Sequence, residues 1–179
     1  VATRRNPELR KKPVVICHSR SENGSGEVSS ANYPARSFGI RASMFIAQAK
    51  KLCPQVIVMS YEFEEYQRIS GIVYKILWRH TPLVQPVSCD ESYLQFSNLK
   101  DGEAEVIAAK IRAEIEDETG CTASAGIGPN MLVAKMATKR AKPNGVFQIS
   151  ADLAESFLAD LAVRFLCVFF VSRWGEIRF

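Results

Sequence analysis

Two long stretches with apolar residues at helical spacing bracket a pair of short strand-like runs, and this order restricts the chain more than any other feature. From Glu62 to Arg79, the residues Phe63, Tyr66, Ile69, Val73, Ile76 and Leu77 fall along one face of a helix. From Glu103 to Thr119, Ile107, Ile111 and Ile115 recur every four residues, and Gly120 supplies a C-terminal stop. Between them, Val84 to Ser88 and Tyr93 to Phe96 read as strands joined at a tip formed by Cys89, Asp90 and Glu91. A hairpin and two amphipathic helices bury their apolar faces by stacking as layers.

The rest of the chain fits the same layered class. "KPVVICHS" reads as a short buried strand and "SRSENGSGEVSS" as a flexible Gly/Ser loop. A helix is expected to start near Ser30, with Tyr33 and Pro34 in its first turn and Gly39 just past its end. Further helical pattern runs from Ser43 to Leu52, closed by Pro54. "TASAGIG" is a small-residue strand, and Asn130 is placed to cap a helix that aligns Lys135, Lys139 and Lys142. "KPNG" then forms a turn. Strand, helices, hairpin, helix, strand, helix is the order of an α+β layer with helices segregated on one face, not of a doubly wound sheet.

With 179 residues, 47% of them apolar and 23% charged, the chain is one globular domain or slightly less. The formal charge of +4 leans towards a polyanionic partner. Its distribution says more. No acid occurs from Val28 to Ser60, which holds Arg36, Arg41, Lys50 and Lys51, nor from Thr119 to Ala151, which holds Lys135, Lys139, Arg140 and Lys142. Cys17, Cys53, Cys89, Cys121 and Cys167 are widely spaced and odd in number, which suggests neither a zinc site nor a disulfide framework and fits reduced thiols inside a cell. The apolar run from Phe165 to Val171 is far shorter than the roughly 18 residues of a membrane span, so no membrane partner is expected.

Several chemistries drop out. "GSGEVS" lacks the third glycine of a dinucleotide fingerprint, and no G-K-[ST] occurs. His18 and His80 have neither a neighbouring nucleophile nor metal-ligand spacing. Asp90 and Glu91 admit two readings: a solvated turn, or paired carboxylates for hard divalent cations, which take oxygen ligands and leave positions open for substrate phosphates. Tyr33 and Arg36 share a helix face, so a phenol and a guanidinium can grip one polyphosphate near a helix N-terminus at Ser30, or Arg36 can simply sit in a surface ion pair. Lys142 precedes a proline that biases it away from helix, and it is either a solvated lysine or a point charge for phosphate.

Together, "SSANYPARSFGIRA", "SCDESYLQFS" and "ASAGIGPNMLVAKMATKRAKPNG" resemble the fingers and palm of a Y-family (UmuC-type) translesion DNA polymerase, from Val1 to about Val163. "MFIAQAKKLCP" and "VSCDE" are most similar to the eukaryotic Rev deoxycytidyl transferase branch. The resemblance implies fingers over 1–60, a palm with a mostly antiparallel sheet over 61–150, and the start of a thumb linker with a divergent end over 151–179. It implies that Asp90 and Glu91 serve two catalytic Mg2+ ions, with Glu91 also helping to activate the primer 3′-hydroxyl. It implies further that Ser30, Tyr33, Arg36 and Lys142 contact the triphosphate of an incoming deoxynucleotide, dCTP in the Rev branch.

Primer–template DNA carrying damage would be the main partner, other translesion proteins would bind through regions outside this chain, and the setting would be the nucleus. In the family, a first metal-binding Asp lies on a strand just before the position of Val1, and a thumb follows the position of "FLADLAV", so the first palm strand and the thumb are expected to be missing. Two rivals stand beside the enzyme: a catalytically silent fingers–palm remnant that binds nucleotide, DNA or protein, and another palm-fold enzyme such as a nucleotide cyclase.

Overall fold

The computed structural model describes residues 1–18 and 25–159, and the backbone of residues 176–178. The apolar run from Phe165 to Val171 and the thiol of Cys167 lie outside the described residues. The chain divides into two compact units, Val1–Tyr66 and Gln67–Phe179.

In the first unit β1 (Val14–Cys17) lies between β2 (Val28–Ala31), antiparallel to it, and β3 (Ile57–Met59), parallel to it. The β-branched run Val14, Val15 and Ile16 suits this central place. Along β2, Val28 and Ala31 are buried while Ser29 and Ser30 are exposed. Two short helices, α1 (Tyr33–Ser37) and α2 (Ile46–Leu52), close the core with Ala35, Ile46 and Ala49. The expected small helices are therefore present, together with β2 and β3, which have no clear pattern in the sequence. Ser43, expected to begin the second helix, is held instead at φ 66° with its N–H bonded to Val28 O, so α2 starts three residues later. Near the amino end, Arg4 and Arg5 converge on Glu65, whose side chain is only 5% exposed, at 2.6 and 3.2 Å. Two guanidinium groups compensate the desolvation of that carboxylate.

The helix expected at Ser30 starts later. Ser30 belongs to β2, and Asn32 is the N-cap: its side-chain oxygen accepts from Ala35 N–H and from Val14 N–H, both at 3.0 Å, while its amide donates to Lys12 O at 2.8 Å. An Asn that ties the first helical turn to a neighbouring strand fixes the boundary more firmly than a serine two residues upstream.

The second unit is a five-stranded sheet. It contains β4 (Val84–Pro86), β5 (Ser92–Gln95), β6 (Ala125–Gly128), β7 (Val146–Gln148) and β8 (Glu176–Arg178), in the spatial order β4, β5, β8, β6, β7. All neighbours are antiparallel except β6 and β7. The sheet is thus mostly antiparallel, as expected. Nothing in the sequence pattern points to β8, which pairs with both β5 and β6 and completes the middle of the sheet.

Helices α3 (Phe63–His80) and α4 (Glu103–Thr119) cover one face, burying Ile76, Leu77, Ile111 and Ile115 against Leu94, Ala125 and Ile127. Phe63, expected on the buried stripe, is the first residue of α3 and is 66% exposed. Successive side chains of a strand point to opposite faces, so Gly126 and Gly128 turn away from α3 and α4. They lie under α5 (Met131–Ala141), which the glycines admit to close range. The one-faced arrangement read from the sequence therefore describes α3 and α4, and α5 takes the opposite face. The short α6 (Ala154–Ala159) follows β7, and its Phe157 and Leu158 pack beside Val133 and Ala137 of α5.

Candidate active site

The hairpin tip is an ordered turn. Val87 N–H and Ser88 N–H both donate to Glu91 O, at 2.9 and 3.0 Å, closing the loop between β4 and β5. The hydroxyl of Ser88 donates to Asp90 Oδ1 at 2.6 Å and accepts from Asp90 N–H at 3.4 Å. From α3, the single O–H of Tyr74 reaches the same turn and is shared in a three-centre hydrogen bond between Ser88 O (2.7 Å) and Glu91 O (3.0 Å). Burial pushes the Tyr74 phenol above its ordinary pKa of 10.0, so it remains a donor at neutral pH. Asp90 is exposed and Glu91 half-buried. The two acids that sequence reading singled out thus share one turn.

Strand directions set what else lies at this end. Both β5 and β6 run antiparallel to β8, and β7 runs parallel to β6, so β5, β6 and β7 all point the same way. Glu91 immediately precedes β5, and the Lys142–Gly145 turn immediately precedes β7. Both turns therefore stand at one end of the sheet, three strand spacings or roughly 14 Å apart across it. Lys142 is the C-cap of α5, exposed, with extended backbone at φ −72° and ψ 141°, as its place before Pro143 requires. Arg112 of α4 secures this turn, donating to Ala123 O (2.7 Å), Asn144 O (2.8 Å) and Asn144 Oδ1. A cavity of about 330 Å³ opens at the opposite end, lined by Phe96, Asn98, Lys100, Gly128 and Gln148, away from both acids.

In the first unit, α1 presents Tyr33, 51% exposed, and Arg36 on one face, with the guanidinium 5.4 Å from the centre of the Tyr33 ring. Arg36 Nε donates to Ala31 O at 2.8 Å, which ties the head group to the end of β2 while the residue stays exposed. Ser30 is exposed on β2, two residues before the Asn32 cap. The local pairing of Tyr33 with Arg36 follows from their three-residue spacing. His80 contacts Glu114 at 3.1 Å and His18 faces Tyr61 at 5.9 Å, both structural contacts.

Sequence reasoning missed Tyr74, Ser88, Asn32 and Arg112. A serine two residues before the acids and an Asn preceding Tyr-Pro carried a signal; Tyr74 and Arg112 carried none, because their partners lie far away in sequence. Asp90 and Glu91 supply hard oxygen donors, the kind that hold Mg2+ in company with substrate phosphates. Among the described residues, no group of three or more His, Cys, Asp or Glu gathers at one point. No described helix is long and apolar enough to cross a membrane.

Comparison with known proteins gives the chain its family. The impB/mucB/samB family profile matches residues 1–139. The chain is 52% identical over 156 residues to "DNA repair protein REV1" of Arabidopsis thaliana, covering 87% of this chain and 14% of that protein. It is 39% identical over 165 residues to "DNA polymerase IV" of Gluconobacter oxydans, covering 91% of this chain and 46% of that one. Among solved structures, DinB from Sulfolobus solfataricus superimposes with a TM-score of 0.84 at 29% identity, over 94% of this chain and 50% of that one. An insertion ternary complex of Dbh DNA polymerase gives 0.83 at 31% identity, over 92% and 49%. The chain spans half or less of each of these proteins.

Proposed function

The chain belongs to the impB/mucB/samB family, and from that membership we propose that it is the fingers (1–60) and palm (61–150) of a DNA-directed translesion polymerase, with 151–179 leading towards a thumb. The observation that carries the proposal is the clamped turn that presents Asp90 and Glu91 side by side at one end of a mostly antiparallel sheet. Asp90 and Glu91 would hold two Mg2+ ions together with the family's upstream Asp, and Glu91 would orient the primer 3′-hydroxyl. Bound there, the metal supplies charge neutralisation and eases loss of the hydroxyl proton. The remaining work is positioning. Tyr33 and Arg36 grip the triphosphate of the incoming nucleotide as a preset pair, Ser30 adds a hydroxyl, and Lys142 contributes a compact positive charge.

The high identity to the Arabidopsis protein supports the Rev branch, with dCTP as the favoured nucleotide, damaged primer–template DNA as partner, a nuclear setting, and other translesion proteins engaged outside this segment. A binding-only role is the second reading. It is favoured by the finding that, among the described residues, no group of three or more His, Cys, Asp or Glu gathers at one point.

Mg2+-dependent primer extension with each deoxynucleotide separately decides between the two readings. The assay compares this chain, the chain extended upstream by the family's D-x-D-x-F-F strand, and Asp90→Ala in both. Extension by the longer form that falls by about a thousandfold or more in Asp90→Ala, about 4 kcal/mol, supports the polymerase. Folded forms that extend no primer refute it and leave the binding role.

A further inference from the structure

The structure assigns Tyr74 the role of a positioning residue for the metal-binding turn, a role that rests on the reading of Asp90 and Glu91 as ligands. The argument is geometric. Asp90 is exposed and sits in a turn whose backbone would be free to reorient if only the hairpin ladder held it. Ser88 and Glu91 flank the tip on the two legs of that turn, and the Tyr74 O–H is shared between their carbonyls, at 2.7 and 3.0 Å. Holding a carbonyl on each leg restrains the two residues between them, Cys89 and Asp90.

The same Glu91 carbonyl already accepts Val87 and Ser88 N–H, so the phenol locks the arrangement that closes the turn. Ser88 then passes this order to the carboxylate by donating to Asp90 Oδ1 at 2.6 Å. The chain of contact runs from the helix layer to the ligand: α3, Tyr74 hydroxyl, Ser88 backbone, Ser88 hydroxyl, Asp90.

Tyr74 suits the task. Its ring packs against the apolar core of the second unit and lies 5.7 Å from the Trp78 ring one turn along α3, so its base is anchored while its tip reaches the turn. A phenol has only two side-chain torsions to order and one directional donor, which makes it a stiff strut. Partners that orient a metal ligand through a hydrogen bond typically contribute tenfold to a hundredfold in metal affinity.

The test uses the whole chain and Tyr74→Phe, which removes the hydroxyl and leaves the ring packed, with Asp90→Ala as reference. Mn2+ affinity is measured by electron paramagnetic resonance in the presence of dCTP, amide hydrogen exchange is followed residue by residue, and thermal unfolding reports global stability. Tyr74→Phe is expected to weaken Mn2+ binding about tenfold, to speed exchange at Val87 and Ser88 by a similar factor, and to leave the melting temperature within about 3 °C of the parent. Exchange that quickens across all of α3 and β5 together with a lower melting temperature assigns Tyr74 a merely structural role and overturns the inference. So does unaltered Mn2+ affinity in Tyr74→Phe when Asp90→Ala abolishes binding. Unaltered affinity in Asp90→Ala overturns the metal-site reading itself, and with it the function proposed above.

Discussion

Replacing Gly126 by Ala tests how α5 is seated on β6, and through it how the Lys142 turn is carried. A Cβ at Gly126 would lie 2.2 Å from Ala134 O, 2.2 Å from Thr138 N and 2.5 Å from Thr138 Oγ1. Ordinary contact begins near 3.4 Å, so α5 must rise by roughly 1 Å. Two of the three obstacles are backbone atoms of the helix, which no rotamer change removes. Lifting the helix loosens the packing of Val133, Ala137 and Met136, all buried. Overpacking of this kind costs about 3 kcal/mol, and at about 4 °C per kcal/mol the melting temperature should fall by about 12 °C.

Gly71 provides the opposite case: it is exposed on α3, and an added Cβ meets nothing within 4 Å. Gly71→Ala should stabilise by about 1 kcal/mol through helix propensity alone. Thermal unfolding of both variants by circular dichroism makes the comparison. A Gly126→Ala protein that melts within about 3 °C of the parent, or that shifts in the same direction as Gly71→Ala, refutes the close seating of α5.

Arg112→Ala removes three hydrogen bonds that join α4 to Ala123 and Asn144, and should cost about 2 kcal/mol. In an active polymerase it should also raise KM for the deoxynucleotide more than it lowers kcat, and steady-state kinetics with unchanged KM would count against Lys142 as a phosphate contact held by this turn. Ile177→Pro strikes the strand shared by β5 and β6, where Ile177 pairs with Leu94 and Ile127; proline removes its N–H from the ladder. Amide exchange at Leu94 and Ile127 should accelerate by at least about tenfold, and protection equal to the parent's would show that β8 contributes nothing to the sheet.

What the sequence disclosed, and what it withheld, divides along the range of the interactions. The helices α3, α4 and α5 lay within a residue or two of expectation because their signals are local: apolar spacing in the first two, Asn130 accepting from Val133 N–H in the third, and Gly120 ending α4 at φ 66°. The acids were legible because they interrupt a strand-like pattern, and Tyr33 with Arg36 because helix geometry pairs them. The start of α1 was misplaced because the decisive bond, Asn32 to Val14 N–H, crosses 18 residues. β8 was invisible for the same reason, as its partners Leu94 and Ile127 are supplied by distant strands and three residues carry no periodicity of their own.

The division reaches into the site. The groups proposed to touch metal and phosphate all stand in short motifs, Asp90 and Glu91 in one, Tyr33 and Arg36 in another, Lys142 in a third. The groups that hold two of those motifs in place come from helices elsewhere in the chain, Tyr74 from α3 gripping the acidic turn and Arg112 from α4 gripping the Lys142 turn. Both helices look in sequence like ordinary core elements. Their apolar stripes bury the sheet, and their flanks each extend a hydrogen-bonding side chain to one of the two turns at the same end of that sheet. A motif search therefore finds the groups proposed to react and misses the struts, and substitutions of Tyr74 or Arg112 should alter ligand affinity even though neither residue is proposed to touch a ligand.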